Sequence, residues 1–289
     1  MTRLTPTKLF LDGGDPQETA QATQLLREAG YDGLDGQTTN PSLVAKNPDI
    51  AARMARGEKL TSEELLAKYQ EIVQTIAQSV PGDISIEVYA DATTPAEAMV
   101  EQAREFATWT PAAVIKLPIT VTGLQAAAVL KSELRLNLTL CFSQSQAAAV
   151  YSATRGATYP VYVSPFIGRL DDVGQDGLEL VANMLRMFHD SDQHVHVLTA
   201  SVRSLHHIVA ALELGTHALT LPFAKVFQPW AAQGFPLRST SSEVLSLGTP
   251  IKYEELDLSA PWNSFNLRHT LTDAGLQKFA DDWNSLLAS

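Results

Sequence analysis

The chain has one cysteine, Cys141, among its 289 residues. A single thiol cannot close an internal disulfide, so burial must hold the fold together, and such sparing use of cysteine fits a reducing compartment. Basic residues are also scarce. Twenty-one Lys and Arg stand against 32 Asp and Glu, a net charge of -11. That imbalance argues against nucleic acid and anionic membrane as partners. Any anionic ligand must then be met by a local cluster of cations. The first eight residues carry no apolar signal core, and no apolar run is long enough to span a bilayer. The expectation is a soluble, cytoplasmic protein. There is no low-complexity segment, no linker and no sequence-level repeat.

What is present is a regular alternation. At 45% hydrophobic residues the chain can bury a large core. Strand-like segments fall at 8–14, 34–40, 83–90, 114–120, 136–142, 159–167, 194–203 and 217–223. Helical patterns separate most of them. Asp15, Pro16 and Glu18 open one helix, and Thr61 and Glu64 form a capping box before Leu65, Leu66, Tyr69, Ile72, Val73 and Ile76 at helical spacing. Residues 41–60 read as a longer polar connection. Ser143 to Gln146 is another capping box. Ser204 caps a helix that Gly215 ends. Eight strands alternating with helices predict a parallel sheet closed into a (β/α)8 TIM barrel. A doubly wound open sheet is the alternative, weakened because no G-x-G-x-x-G follows the first strand. The whole chain, 1–289, is expected to be one barrel domain. Residues 237–268, rich in Ser, Thr and Pro, break the alternation and read as an ordered excursion over one end of the barrel. Residues 270–287 read as a final amphipathic helix.

Strand side chains alternate between faces with period 2. On this parity seven strands place an isolated polar residue at or near their C-terminal ends: Asp12; Thr38 and Asn40; Glu87; Lys116; Asn137 and Thr139; Ser164, with Phe166 on its face; Ser201 and Arg203. Taken alone, Lys116 could be a strand-end lysine snorkelling to solvent. Seven polar groups converging on the catalytic face of a barrel are hard to explain as core, since each unpaired buried group costs roughly 1–3 kcal/mol. An amine among Val114, Ile115, Leu117 and Ile119 is easier to deprotonate, and a neutral amine can attack a carbonyl to form a Schiff base. Other polar features are assigned no chemistry. His194 and His196, two apart, should face helices or the barrel's bottom rather than hold a metal, because no carboxylate or cysteine has ligand spacing to them. His206 and His207 should be half exposed on a helix. Cys141 should be a small buried hydrophobe. Asp171 and Asp172 should cap a turn rather than bind a cation. Trp262 and Phe265 should pack as core.

The segments Thr38-Thr39-Asn40-Pro41-Ser42-Leu43, Ile115-Lys116-Leu117-Pro118, Asn137-Leu138-Thr139-Leu140 and Ser164-Pro165-Phe166-Ile167-Gly168-Arg169 resemble the signature segments of transaldolases. The likeness is to the short subgroup related to fructose-6-phosphate aldolase, which are class I Schiff-base enzymes. It covers residues 9–223, and 271–283 resembles the subgroup's last helix, while 237–267 departs from it. The resemblance implies transfer of a dihydroxyacetone unit from a ketose 6-phosphate to an aldose phosphate within pentose phosphate metabolism. It implies no cofactor and no metal. Lys116 would form the Schiff base and Asp12 would take the C4 hydroxyl proton. Glu87 with Thr139 would hold the water that moves protons. Thr38, Asn40, Asn137 and Ser164 would bind the dihydroxyacetone unit. Arg169, Ser201 and Arg203 would hold the distant phosphate. In the aldolase relatives a tyrosine stands at position 166 and a glutamine at 87, whereas this chain has Phe166 and Glu87, the transaldolase choice. A homo-oligomer is implied too, since the short subgroup forms rings and the longer enzymes dimers. Two alternatives stay open: an aldolase that releases free dihydroxyacetone or acts on another carbonyl compound, and a non-catalytic barrel used for binding or scaffolding.

Overall fold

The computed structural model describes residues 3–238 and 248–288. Its eight strands are β1 (Lys8–Asp12), β2 (Gly36–Thr38), β3 (Asp83–Glu87), β4 (Ala113–Pro118), β5 (Leu136–Cys141), β6 (Val161–Pro165), β7 (Val195–Thr199) and β8 (Ala218–Pro222). All pair in parallel and in chain order, and β8 returns to β1, so the sheet is a closed TIM barrel rather than a doubly wound sheet. The register sets the site. Asp12 stands level with Thr38, Glu87 with Lys116, and Lys116 with Asn137.

The helices start where local chemistry provides a cap. Thr61 and Glu64 close the expected capping box ahead of Ser62–Ser79, and Leu65, Tyr69, Ile72, Val73 and Ile76 are buried. Ser143 and Ser204 each accept a backbone N–H from the third residue of their helix. Gly215 ends the second of these at φ 76°. Glycine adopts that conformation without a side-chain clash. At the first helix, Asp15 accepts from Gln17 N, so the cap is a short Asx turn and not the box with Glu18. Residues 41–60 differ from expectation. They form two short helices, Pro41–Ala45 and Pro48–Ala55, each opened by an asparagine cap and a proline. Their brevity hides the apolar periodicity that marks longer helices.

The strands are also shorter than their sequence patterns. Residues 13–14, 88–90 and 200–203 are loops. The N-terminal end of the barrel is plugged by charge. Lys8 Nζ donates to Tyr162 Oη at 2.8 Å and lies 3.3 Å from Asp83, which Arg135 also meets at 2.9 Å. His196 stacks on His217 at this end, 4.6 Å between ring centres. His194 turns elsewhere, to Thr154 and Asp192, so the two histidines do not form a pair.

The expected excursion of residues 237–268 falls in part, at 239–247, outside the described residues. Residues 248–268 run along the barrel's outer wall. Asn183 holds Ile251 O, Gln144 exchanges two hydrogen bonds with Glu254, and Ser152 holds Ala260 O. Trp262 and Phe265 are half-buried against the core. The element that crosses the C-terminal mouth is the helix Thr270–Asn284. Thr272 Oγ1 donates to Leu140 O at 2.9 Å, and further along Asp282 accepts from Ser42 and the Trp283 ring meets Tyr69. No helix among the described residues is long and apolar enough to cross a membrane.

Candidate active site

Lys116, near the end of β4, is 2% exposed. Its Nζ stands 2.9 Å from Glu87 Oε2 and donates to Thr39 O at 3.1 Å. Glu87 is itself held from behind, its N–H donating to the hydroxyl of Tyr69, which is linked to Thr39. The helix Ser62–Ser79 thus holds Glu87 and also Thr39, whose carbonyl accepts from Lys116. Burial raises the Glu87 carboxyl above its ordinary value, while the Lys116 charge pulls it back down. Such a carboxyl can hold a proton at a pH where an exposed one would not.

Asp12 lies at the end of β1, with some solvent reaching it through the cleft. Burial raises its carboxyl too, against the opposing pull of Lys116 and the hydrogen bond from Thr38. That bond is 2.7 Å, and Thr38 Oγ1 in turn lies 2.7 Å from Thr220 Oγ1. Two buried carboxyls with raised pKa values thus flank one amine, a pattern that suits two distinct proton transfers. Ser164 donates to Asn137 Oδ1 at 2.7 Å, and Asn137 donates to Ser85 at 3.1 Å. Thr139 Oγ1 is fully buried and has no protein partner among the described residues. Among those residues a buried donor or acceptor so placed is rare.

The opposite rim carries the cations. Arg169 rides on the helix Ile167–Asp171, and burial lowers its pKa. The loop 200–203 lies against this helix because residue 168 is glycine. A Cβ there would stand 2.3 Å from Ser201 O and 2.4 Å from Arg203 Cγ. Ser201 takes a left-handed φ of 59°, which turns the chain after β7. Arg203 is half exposed and grips Asp172 with two hydrogen bonds of 3.0 and 2.9 Å. Asp172 is thus engaged by an arginine of the neighbouring loop. His207 is likewise buried, not half exposed. Its Nδ1 accepts from Arg203 N at 3.2 Å and its Nε2 lies 3.0 Å from Asp171. Asp171 also receives Gly177 N–H, the turn-capping role expected of it.

All twelve candidate residues gather at this end of the barrel. Asp12, Thr38, Asn40, Lys116, Ser164, Phe166, Arg169, Ser201 and Arg203 line the cleft, while Glu87, Asn137 and Thr139 sit beneath its floor. The cleft also takes Ser42 and Leu43 of the first signature segment, and Lys46, Thr220, Lys278 and Phe279, which sequence patterns did not single out. Thr220 carried a usable signal, an isolated polar residue in the apolar run of β8. Phe279 read only as the apolar face of a helix. Cys141 is fully buried and its thiol is pushed up to about 12 by burial, so it holds its proton. Among the described residues no three His, Cys, Asp or Glu side chains stand together as a metal site would require. A second cleft at the N-terminal end is rimmed by charges already paired, Arg3 with Asp35 and Lys8 with Asp83.

Comparison with known proteins agrees with this geometry. The family model described as transaldolase/fructose-6-phosphate aldolase matches residues 9–289, so it extends through the tail that departs from the signature segments. A probable transaldolase of Anaeromyxobacter sp. (strain Fw109-5) is 36% identical over 96% of this chain and 98% of its own length. A probable transaldolase of Thermus thermophilus is 35% identical over 96% of this chain and 99% of its own. At that identity and coverage, with a closed eightfold barrel and a lysine buried at its catalytic end, the chain belongs to the transaldolase/fructose-6-phosphate aldolase family.

Proposed function

We propose that the protein transfers a dihydroxyacetone unit from a ketose 6-phosphate, such as fructose 6-phosphate or sedoheptulose 7-phosphate, to an aldose phosphate. The observation that carries this reading is the amine of Lys116, sunk at the floor of the cleft with Glu87 at 2.9 Å and Asp12 across from it. The amine adds to the C2 carbonyl, and loss of water gives an iminium. Glu87 and Thr139 handle that water and its protons. Asp12 accepts the C4 hydroxyl proton as the C3–C4 bond breaks, and the bonding pair moves into the iminium to give an enamine. The aldose phosphate leaves as an aldehyde. A second aldehyde is attacked by the enamine carbon, its oxygen takes the proton back from Asp12, and hydrolysis frees the new ketose phosphate. No cofactor enters these steps.

Asn40, Asn137, Ser164 and Thr38 supply donors and acceptors for the hydroxyls of the three-carbon unit. Arg169, Ser201 and Arg203 suit the phosphate, as guanidinium forks match its oxygens. In a chain of net charge -11 this cluster gives an anion a local counter-charge. A role in pentose phosphate metabolism, a cytoplasmic setting and a homo-oligomeric state belong to the same proposal. So does the single-domain reading of residues 1–289.

Borohydride reduction in the presence of fructose 6-phosphate tests the reading. It should add one sugar-derived adduct to the peptide containing Lys116, and Lys116→Arg should abolish both adduct and turnover, because a guanidinium stays protonated. An unmodified Lys116 peptide under turnover conditions would refute the proposal.

A further inference from the structure

Arg169 belongs to the helix after β6, but its guanidinium is seated by the far end of the chain. Gly275, on the helix Thr270–Asn284, faces it at close range. A Cβ at this position would stand 2.5 Å from Arg169 Nη1 and 2.7 Å from Leu140 Cδ2. Phe279 is four residues on, hence on the same face of the helix. Its ring centre lies 5.5 Å from the guanidinium carbon, and the Phe166 ring lies 5.2 Å away. Two other cations of the cleft are already paired, whereas Lys46, like Arg169, has no ion pair among the described residues. Arg203 is closed on Asp172 and Lys278 on Asp282. Among the described residues no carboxylate forms an ion pair with Arg169.

Aromatic faces hold a guanidinium without using its N–H groups. The planar fork is therefore fixed in place while its donors stay uncommitted, which is what recognition of a dianion needs. The helix that provides the seat is pinned on both sides of it. Gln146 donates to Thr272 Oγ1 at 2.8 Å, Thr272 donates to Leu140 O, and Ser42 donates to Asp282.

We infer that the helix Thr270–Asn284 is a wall of the anion subsite, in which Gly275 and Phe279 are positioning residues that aim Arg169 at the substrate phosphate. They thereby set the preference for phosphorylated over unphosphorylated sugars. This rests on the sugar-phosphate reading of the same cleft.

The test uses Gly275→Ala and Phe279→Leu in the full chain. Two quantities are compared: KM for fructose 6-phosphate, and the dihydroxyacetone concentration that half-saturates borohydride trapping on Lys116. Their ratio should rise about fivefold or more in each variant, the scale of one lost cation–π contact. In an Arg169→Ala background neither substitution should move the ratio further. Calorimetric binding of inorganic phosphate, which needs no turnover, should weaken by a similar factor in the single variants. A ratio and a phosphate affinity both unmoved would overturn the inference, as would an equal rise in the Arg169→Ala background. If Gly275→Ala does not fold, Phe279→Leu decides the matter alone. If Lys116 is never trapped in the unsubstituted protein, the transfer reading fails, and the phosphate affinities still judge the wall.

Discussion

Replacing Asp12 with asparagine should make the protein more stable while disabling it. The Asp12 carboxyl is raised above its ordinary value because burial penalises its charge more than Lys116, Thr38, Lys46 and Arg169 favour it. Asparagine has the same shape, can still accept the 2.7 Å hydrogen bond from Thr38, and carries no charge to desolvate. The sign follows from linkage. A group whose pKa is higher in the folded state contributes stability that is fully present below the unfolded pKa and is lost as pH rises through the folded one. The two proteins should therefore melt together below about pH 4, where an ordinary aspartate is protonated. The asparagine variant should pull ahead as pH rises, and the gap should level off once the folded carboxyl has ionised. Each unit of upward displacement is worth about 1.4 kcal/mol, and the solvent that reaches Asp12 through the cleft reduces the effect. For a chain of this size each kcal/mol is worth roughly 2 °C or less in Tm. Thermal unfolding of both proteins from pH 4 to 8 reads the gap directly. On the same samples, sugar cleavage should drop by about 10²–10⁴, the usual contribution of a general base, while borohydride still traps sugar on Lys116. Lower stability of the variant at pH 7 to 8 would show that the Asp12 charge is net favourable and the reasoning wrong.

Arg169→Ala and Arg203→Ala should each raise KM for sugar phosphates far more than for free dihydroxyacetone. A lost charge-assisted contact is worth about 1.5–3 kcal/mol. Arg169 should show the larger effect because Arg203 is already shared with Asp172. Equal effects on both classes of substrate in steady-state assays would contradict this. Phe166→Tyr should raise release of free dihydroxyacetone relative to transfer. The phenyl ring lies 6.0 Å from Lys116 Nζ and can neither donate a proton nor hold a water, whereas a phenol can do both. Measuring both rates in both proteins checks it. If the unsubstituted protein already releases dihydroxyacetone as fast as it transfers it, the aldolase alternative takes over.

The barrel was legible because its signals are local. A serine or threonine three residues before an acid or amide, and apolar residues at period 2 or 3.6, report on neighbours within one turn or one strand. Parity also selected the residues around Lys116, since the strand ends carry them inward in a closed sheet whatever the helices do. It was less informative past the strand ends. Cys141 sits beyond a shift of register between Leu138 and Cys141, next to Leu140 at φ 61°, so simple alternation no longer describes which way each side chain turns. The short helices of 41–60 gave no period to read, and with them Lys46 went unnoticed as part of the cleft.

From the sequence alone follow the alternation of strand and helix, the lone amine in an apolar strand and the carboxylates that could serve it. These rest on residue type and near-neighbour spacing. Only the tertiary structure decided what meets across the mouth. Thr38 finds Thr220 from 182 residues away, Thr272 finds Leu140 from 132, and the last helix lies across the cleft. His207 is buried with its Nε2 3.0 Å from Asp171, a partner on a different element. Such contacts are set by closure of the sheet and by packing of distant elements. No periodicity within a strand or helix encodes which remote partner the far side of that element will face.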